Sequence, residues 1–257
     1  MKIENFEGTL DTFSFPHNSR VFDDGVGKFV DEKDIPYHFT YFGTTMSIKS
    51  KRDIVISGHF DGSNKEADYR ALSKHVNSNQ LKKFFFDDDK FFVVIPKTCK
   101  RTHSGGRTNF IDYVANFVSP FGLLFGKTLK SGSNSSAEKN EGNVDTPILE
   151  ITGSVTGGTA VVINDKDGNG FEFNPSATGS MTLSLIKMVD LGGEMFFSEY
   201  LYCVVGSAKQ VLNVSDVTKS MFLKLGSDES LSTLFGGGTI SGVSSLLFKF
   251  RDGYSSD

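Results

Sequence analysis

At 257 residues the chain is long enough for one large or two ordinary domains, each with its own core. It carries 25 Phe, 27 Gly and no Trp, a usage that leans towards all-β, and its formal charge of -4 argues against a dedicated binder of nucleic acid or anionic membrane. No apolar run reaches membrane-spanning length, and "MKIENFEGTLDTF" lacks the apolar core of a signal peptide.

In chain order, Asp23 and Asp24 fall in loop-like text, a carboxylate pair with nothing nearby to raise a pKa. "RDIVISGHF" (52–60) is a strand by its β-branched and aromatic content. "GSNKEADYRALSKHV" starts a helix. Ser63 as N-cap and Glu66 three positions on form a capping box, and Tyr69, Leu72 and Val76 share one face. "LKKFFFDDDKFFVVIP" is strand, acidic turn, strand, with the turn at Asp87 to Lys90. A metal cluster at this DDDK run is the weaker reading, because a solvated hairpin tip uses the same residues. The Phe and Val runs beside the turn exceed what one small domain with one helix covers. The remainder is expected to be buried against neighbouring copies. In "RTNFIDYVANFVSPFG", Ile111, Tyr113, Ala115 and Phe117 fall on one side of a period-two strand.

Gly126 to Pro147 shifts in composition to Ser, Asn, Gly, Lys and Glu, with nothing apolar recurring between Ser131 and Gly142. It reads as an exposed, protease-sensitive connection between domains at 1–140 and 141–257. Beyond it come "PILEITGSV", "TAVVIN", "FEFN", "MTLSLIKMV", "EMFFSEYLYCVV", "SMFLKL" and "SSLLFKFRDGY". These are strands at short, regular intervals, as in an antiparallel β-sandwich.

One motif in this half invites a metal. In "VVINDKDGNGFEFN", Asp165, Asp167, Asn169 and Gly170 match the front of an EF-hand loop. The twelfth position is Ser176 rather than Glu, and the flanks are strands rather than helices, so a tight hairpin turn is expected. No other pattern carries chemistry. His17, His38, His59, His75 and His103 show no metal-binding spacing, and there is no G-x-S-x-G elbow and no phosphate loop. "GGRTNF" and "FGGGTISG" lead into strands, without the helix N-terminus that holds phosphate. Cys99 and Cys203 form no disulfide framework and are expected to be buried or half-buried free thiols. We expect no catalytic, cofactor-binding or metal residues, no cofactor, and no enzyme.

Three stretches together resemble the distal tail protein family of siphovirus-type bacteriophages. "RDIVISGHFDGSNKEADYRALSKHVNSNQLKKFFFDDDKFFVVIP" is similar to that family's R-x-I-x-I-x-G strand, helix, aromatic strand and acidic hairpin. "NFIDYVANFVSPFGLLFG" resembles the long strand ending in Phe-Val-x-Pro. "NEGNVDTPILEITGSV" resembles the N-x-G-N-x-x-x-x-P start of the C-terminal domain. "LKLGSDESLS" departs from the pattern, standing where the family often has a Pro-Gly-x-Asn turn.

The resemblance implies an all-β protein with one short helix. Its N-terminal β-barrel or sandwich would form a ring, usually of six copies, and its C-terminal domain would be a galectin-like antiparallel β-sandwich. It further implies a virion protein, made in the host cytoplasm, joining the tail tube protein to the tail-tip hub. A receptor-binding protein is a further partner, DNA only passes through the channel, and no membrane is involved. Two other readings stay open. One is a tail tube or other baseplate subunit. The other is a carbohydrate-binding module or adhesin, whose aromatic platform would have to be Tyr200, Tyr202 or Tyr254 in the absence of Trp.

Overall fold

The structure is a computed structural model. It describes residues 1–6, 8–23, 52–78, 80–86, 89–102, 109–186, 188–191, 194–197, 202–206, 208–211 and 223–255. The described chain is mostly β, with two helices, and divides into two compact units at 125/126. The sequence reading set that boundary at 140/141.

The first unit contains β1 (Lys2–Asn5), β2 (Thr12–Ser14), β3 (Arg20–Asp23), β4 (Arg52–Phe60), a helix (Lys65–Val76), β5 (Lys82–Phe85), β6 (Lys90–Thr102) and β7 (Ile111–Ser119). The strands pair antiparallel in the order β2-β1-β5-β6-β7-β4-β3. The 13-residue strand β6 makes this order possible. Its first part pairs with β5 through Lys82↔Val94, and its second part with β7 from Ile95↔Val118 onwards. The register shifts between Pro96 and Thr98. A proline has no N–H to give a ladder, and a bulge is where its loss does least harm.

The expected period of two in β7 holds, with Ile111, Tyr113, Ala115 and Phe117 buried together. The helix lays Leu72 and Val76 into the same core, with Tyr69 packed at its margin. The capping box is not formed. The helix starts one residue later, with Asn64 as N-cap and no side-chain cap bond. Glu66 is then at the second helical position, too early to reach back, and its carboxylate takes Arg101 Nη1 at 3.1 Å instead.

β4 shows why "RDIVISG" is written as it is. Ile54 and Ile56 are fully buried, and a Cβ on Gly58 would lie 2.9 Å from the Tyr113 hydroxyl and 3.1 Å from Ser19 Cα. Only glycine leaves that hydroxyl room to meet Ser19 Oγ at 2.6 Å.

The segment β8 (Leu124–Gly126) crosses the division between the units, and the second unit takes the rest. Its strands are β9 (Lys130–Gly132), β10 (Thr146–Pro147), β11 (Glu150–Val155), β12 (Val161–Asn164), β13 (Gly170–Phe173), β14 (Gly179–Ser184), β15 (Met188–Leu191) and β16 (Glu194–Phe197). β17 (Tyr202–Val205), β18 (Ala208–Val211), β19 (Lys224–Leu225), a short helix (Leu231–Leu234), β20 (Thr239–Ser241), β21 (Val243–Phe250) and β22 (Gly253–Tyr254) complete it. A six-stranded antiparallel sheet runs β18-β17-β14-β11-β21-β9, and a three-stranded one β13-β12-β20. Phe248 of the large sheet stacks on Phe235, which caps the short helix, with ring centroids 4.3 Å apart.

Two expectations are corrected here. "EMFFSEYLYCVV" contains two strands, β16 and β17, not one. "LKLGSDESLS" holds β19, a turn with Asp228 at φ 60° and the start of a helix that periodicity cannot announce in four residues.

The supposed connection is corrected as well. β9 pairs with β21 through Phe248↔Gly132 and Phe250↔Lys130, and Lys139 bridges to Ser230. The segment has few apolar residues because it is held by its backbone and its polar side chains rather than by a hydrophobic face.

Candidate assembly surface

The apolar hairpin was the sequence's main pointer to partners, and the structure removes that argument. Phe84, Phe85, Phe91, Phe92, Val93 and Val94 are all 2% exposed or less within the single chain. Of the Phe run only Phe86 is exposed, at 39%, and its ring lies edge-on to Phe84 and Phe92. Asp87 and Asp88 lie outside the described residues. The register Phe85↔Phe91 does establish the hairpin between them. Phe84 and Phe92 pack into the core with Phe15 and Phe117, and on the other face Phe85 and Phe91 pack with Phe6 and Phe125.

What the first unit does offer is its strand ends. β2 and β3 stand at opposite ends of the strand order, of three and four residues. Next to β2 is Leu10, 70% exposed in the β1–β2 connection. Terminal strands present backbone donors and acceptors to whatever pairs with them, and short ones limit how readily they do so. The other exposed large apolar residues described, Phe110, Leu129 and Leu247, are scattered singly.

At the start of the second unit "NEGN" builds a polar lock. Asn140 is fully buried. Its Nδ2 donates to the carbonyls of Val144, Leu225 and Gly226, and its Oδ1 accepts from the N–H groups of Gly142 and Gly253. A Cβ on Gly142 would fall 1.8 Å from the Gly253 carbonyl oxygen. Asn143 Oδ1 accepts from Ser255 N–H, and Asp252 Oδ1 accepts from Glu141 N–H and from Lys130 Nζ. Arg251 Nη1 donates to the carbonyls of Gly126 and Lys127. By composition Lys130 and Asn140 to Asn143 fall in the connecting segment, since none is apolar. The Asn-x-Gly-Asn spacing was the available signal.

The EF-hand-like motif is a turn. Asp165, 4% exposed, closes it with Oδ1 accepting from Asp167 N–H at 2.9 Å and Asn169 N–H at 2.8 Å, and Oδ2 from Asn169 Nδ2 at 3.0 Å. Gly168 has φ +80°, and Gly170, at φ +145°, has no room for a Cβ beside Ile163 O. The carboxylate is spent on its own loop. Among the described residues no three His, Cys, Asp or Glu side chains gather at a metal-holding distance.

Of the histidines, His38 and His103 lie outside the described residues. His17 is exposed, His59 lies edge-on to Phe110 at 5.1 Å, and His75 is buried beside Phe13. Burial pushes the Cys99 thiol up to about 11 and Cys203 up to about 12, so both stay protonated and poorly nucleophilic at neutral pH. Asp23 ends β3, and Asp24 is outside the description. Tyr254 is half-buried with its ring beside Gly126, Tyr202 lies in β17, and Tyr200 is not described. No described helix is long and apolar enough to cross a membrane.

No protein-family description matches the sequence, and no curated protein matches it either. Solved structures to which the chain shows similarity include two from phages. One is the SPP1 Dit (gp 19.1) protein, described as a paradigm of the hub adsorption apparatus in phages infecting Gram-positive hosts. It is 13% identical, covering 80% of this chain and 79% of that one, with a TM-score of 0.35. The other is a chain of the phage P2 baseplate in its activated conformation with Ca. It is 10% identical, covering 98% of this chain and 97% of that one, with a TM-score of 0.44.

Proposed function

We propose that this chain is a structural protein of a phage tail tip. It forms a ring at the distal end of the tail, joins the tail tube to the tip hub, and leaves a channel for DNA. One observation carries the reading: the three stretches that resemble distal tail proteins are joints of this fold. "RDIVISG" is the core strand β4, with Gly58 under the Tyr113 hydroxyl. "FVSP" closes β7 before the division between the units, and "NEGN" is the lock that opens the second one. Residue identity at such positions is set by packing and hydrogen bonding, so agreement there weighs more than agreement in surface text.

The first unit is the ring-forming one, and the second is the galectin-like sandwich carried outside. A closed ring needs a head-to-tail contact between two different faces. β2 and β3, at opposite ends of the strand order, supply them: β2 of one copy meets β3 of the next. The partners are then other copies, the tail tube protein, the tip hub and a receptor-binding protein.

Negative-stain images and native mass spectrometry of the full-length protein test this. A closed ring of six copies with a central channel is the expected result. An extended tube would shift the reading to a tail tube subunit, and a monomer at all concentrations would overturn it.

A further inference from the structure

We propose that His75 is a proton-operated latch: it holds the edge strand β2 and its connection to β1 against the end of the helix when neutral and releases them when protonated.

Three elements meet at this imidazole, which sits in the last turn of the helix and is 6% exposed. From the β1–β2 connection comes Asp11, with Oδ1 3.5 Å from His75 Nε2. From β2 comes Phe13, whose ring centroid is 5.9 Å away. From β5 comes Lys82, 2% exposed, its ammonium donating to Asn5 Oδ1 on β1 at 2.6 Å. His75 Nδ1 is buried with no hydrogen-bond partner among the described residues.

The neutral ring suits this site. An Nε2–H faces Asp11, and Nδ1 leaves only an unfilled lone pair. The imidazolium does not suit it. It adds an N–H at Nδ1 with no acceptor, and a buried donor without a partner is costly. It also sets a second cation near Lys82, with Lys74 of the same helix adding to the repulsion. The groups that favour the charge are weaker. Asp11 is 50% exposed, so water screens it, and the helix C-terminus contributes only a partial charge. Burial accordingly holds the imidazole below its ordinary value, against the pull of Asp11, and burial likewise lowers Lys82.

The element released is the shortest of β1 to β7. β2 has three residues, and β1 is its only described strand neighbour. When β2 lifts, His75 is hydrated and binds its proton at the ordinary value near 6.5. Above that pH both forms are neutral and the latch is indifferent to pH. As pH falls through it, the open form is protonated first and opening is favoured. The change ends at the lower value of the closed form, and each unit between the two values multiplies opening tenfold.

Hydrogen exchange of the full-length protein between pH 7.5 and 5.0, corrected for intrinsic rates, tests the latch. The reporting amides are Phe15, which donates to Met1 O, and Asn5, which donates to Asp11 O. In the wild type their protection should drop relative to the second unit as pH falls below about 6.5. In His75→Gln, neutral at every pH, it should stay level. Asp11→Asn, which removes the facing carboxylate, should deepen the acid loss. The same pH profile in the wild type and His75→Gln would overturn the proposal. So would an NMR titration of His75 in the wild type with its midpoint at or above 6.5, and that measurement decides the matter even if the variant does not fold.

Discussion

Asn140 is a side chain whose importance lies in the number of bonds it closes. Its amide meets three carbonyls and two N–H groups at a fully buried position, joining the residues after it to 225–226 and 253. Asn140→Ala leaves several of those groups unpaired away from water, at about 1–3 kcal/mol each before relaxation. We expect a loss of about 3 kcal/mol or more, read as a lower urea midpoint of the second unit. An aspartate in its place would keep the acceptor but lose the donors, so Asn140→Asp should recover little of it. Asp165 is a second such residue, and its prediction concerns calcium. With the carboxylate already accepting from Asp167 and Asn169, millimolar calcium or a chelator should leave Tm unchanged. A calcium-dependent rise of several degrees would show that the ion binds the folded form.

At the scale of elements, the segment from 130 to 142 decides how the two units should be separated by experiment. Its backbone is fastened to 228–232: Asn140 N–H donates to Glu229 O, Leu231 N–H to Glu138 O, and Ser232 N–H to Ser136 O. Lys130 adds contacts to Glu141 at 2.7 Å and Asp252 at 3.0 Å. Proteases need an unfastened backbone. Trypsin should therefore spare Lys130 and Lys139 in the native protein; an early cut at Lys130 would contradict the pairing of β9 with β21, and one at Lys139 the fastening to 228–232. A fragment meant to represent the second unit should start before Gly126, since one beginning at 141 deletes an edge strand of the six-stranded sheet.

For the molecule as a whole, two units with separate cores imply two separable stabilities. Phe84 is fully buried in the first and Phe248 in the second. Phe84→Ala and Phe248→Ala should each cost about 3–5 kcal/mol. Followed by hydrogen exchange in rising urea, each should weaken the protection of its own unit and leave the other nearly unchanged. Equal loss in both units from either substitution would mean that the chain unfolds as one cooperative body.

Periodicity and turn chemistry are local, and whatever depends on them was legible in the sequence by itself. That covers β4, the helix with Leu72 and Val76 inward, the hairpin between β5 and β6, the alternation in β7, and the Asp165 turn. The same information could not locate the end of the first unit, because the segment after 126 is anchored by polar contacts with residues more than a hundred positions away, such as Gly126 N–H to Asp252 O. It also misjudged the Phe run. Whether an apolar strand faces solvent, a neighbour or its own chain depends on what packs over its two faces, and here residues as distant as Phe15 and Phe125 do so. His75 likewise reads as one more polar residue in the last turn of a helix. Only the tertiary structure brings Asp11, Phe13 and Lys82 around it from two other parts of the chain and makes its charge costly.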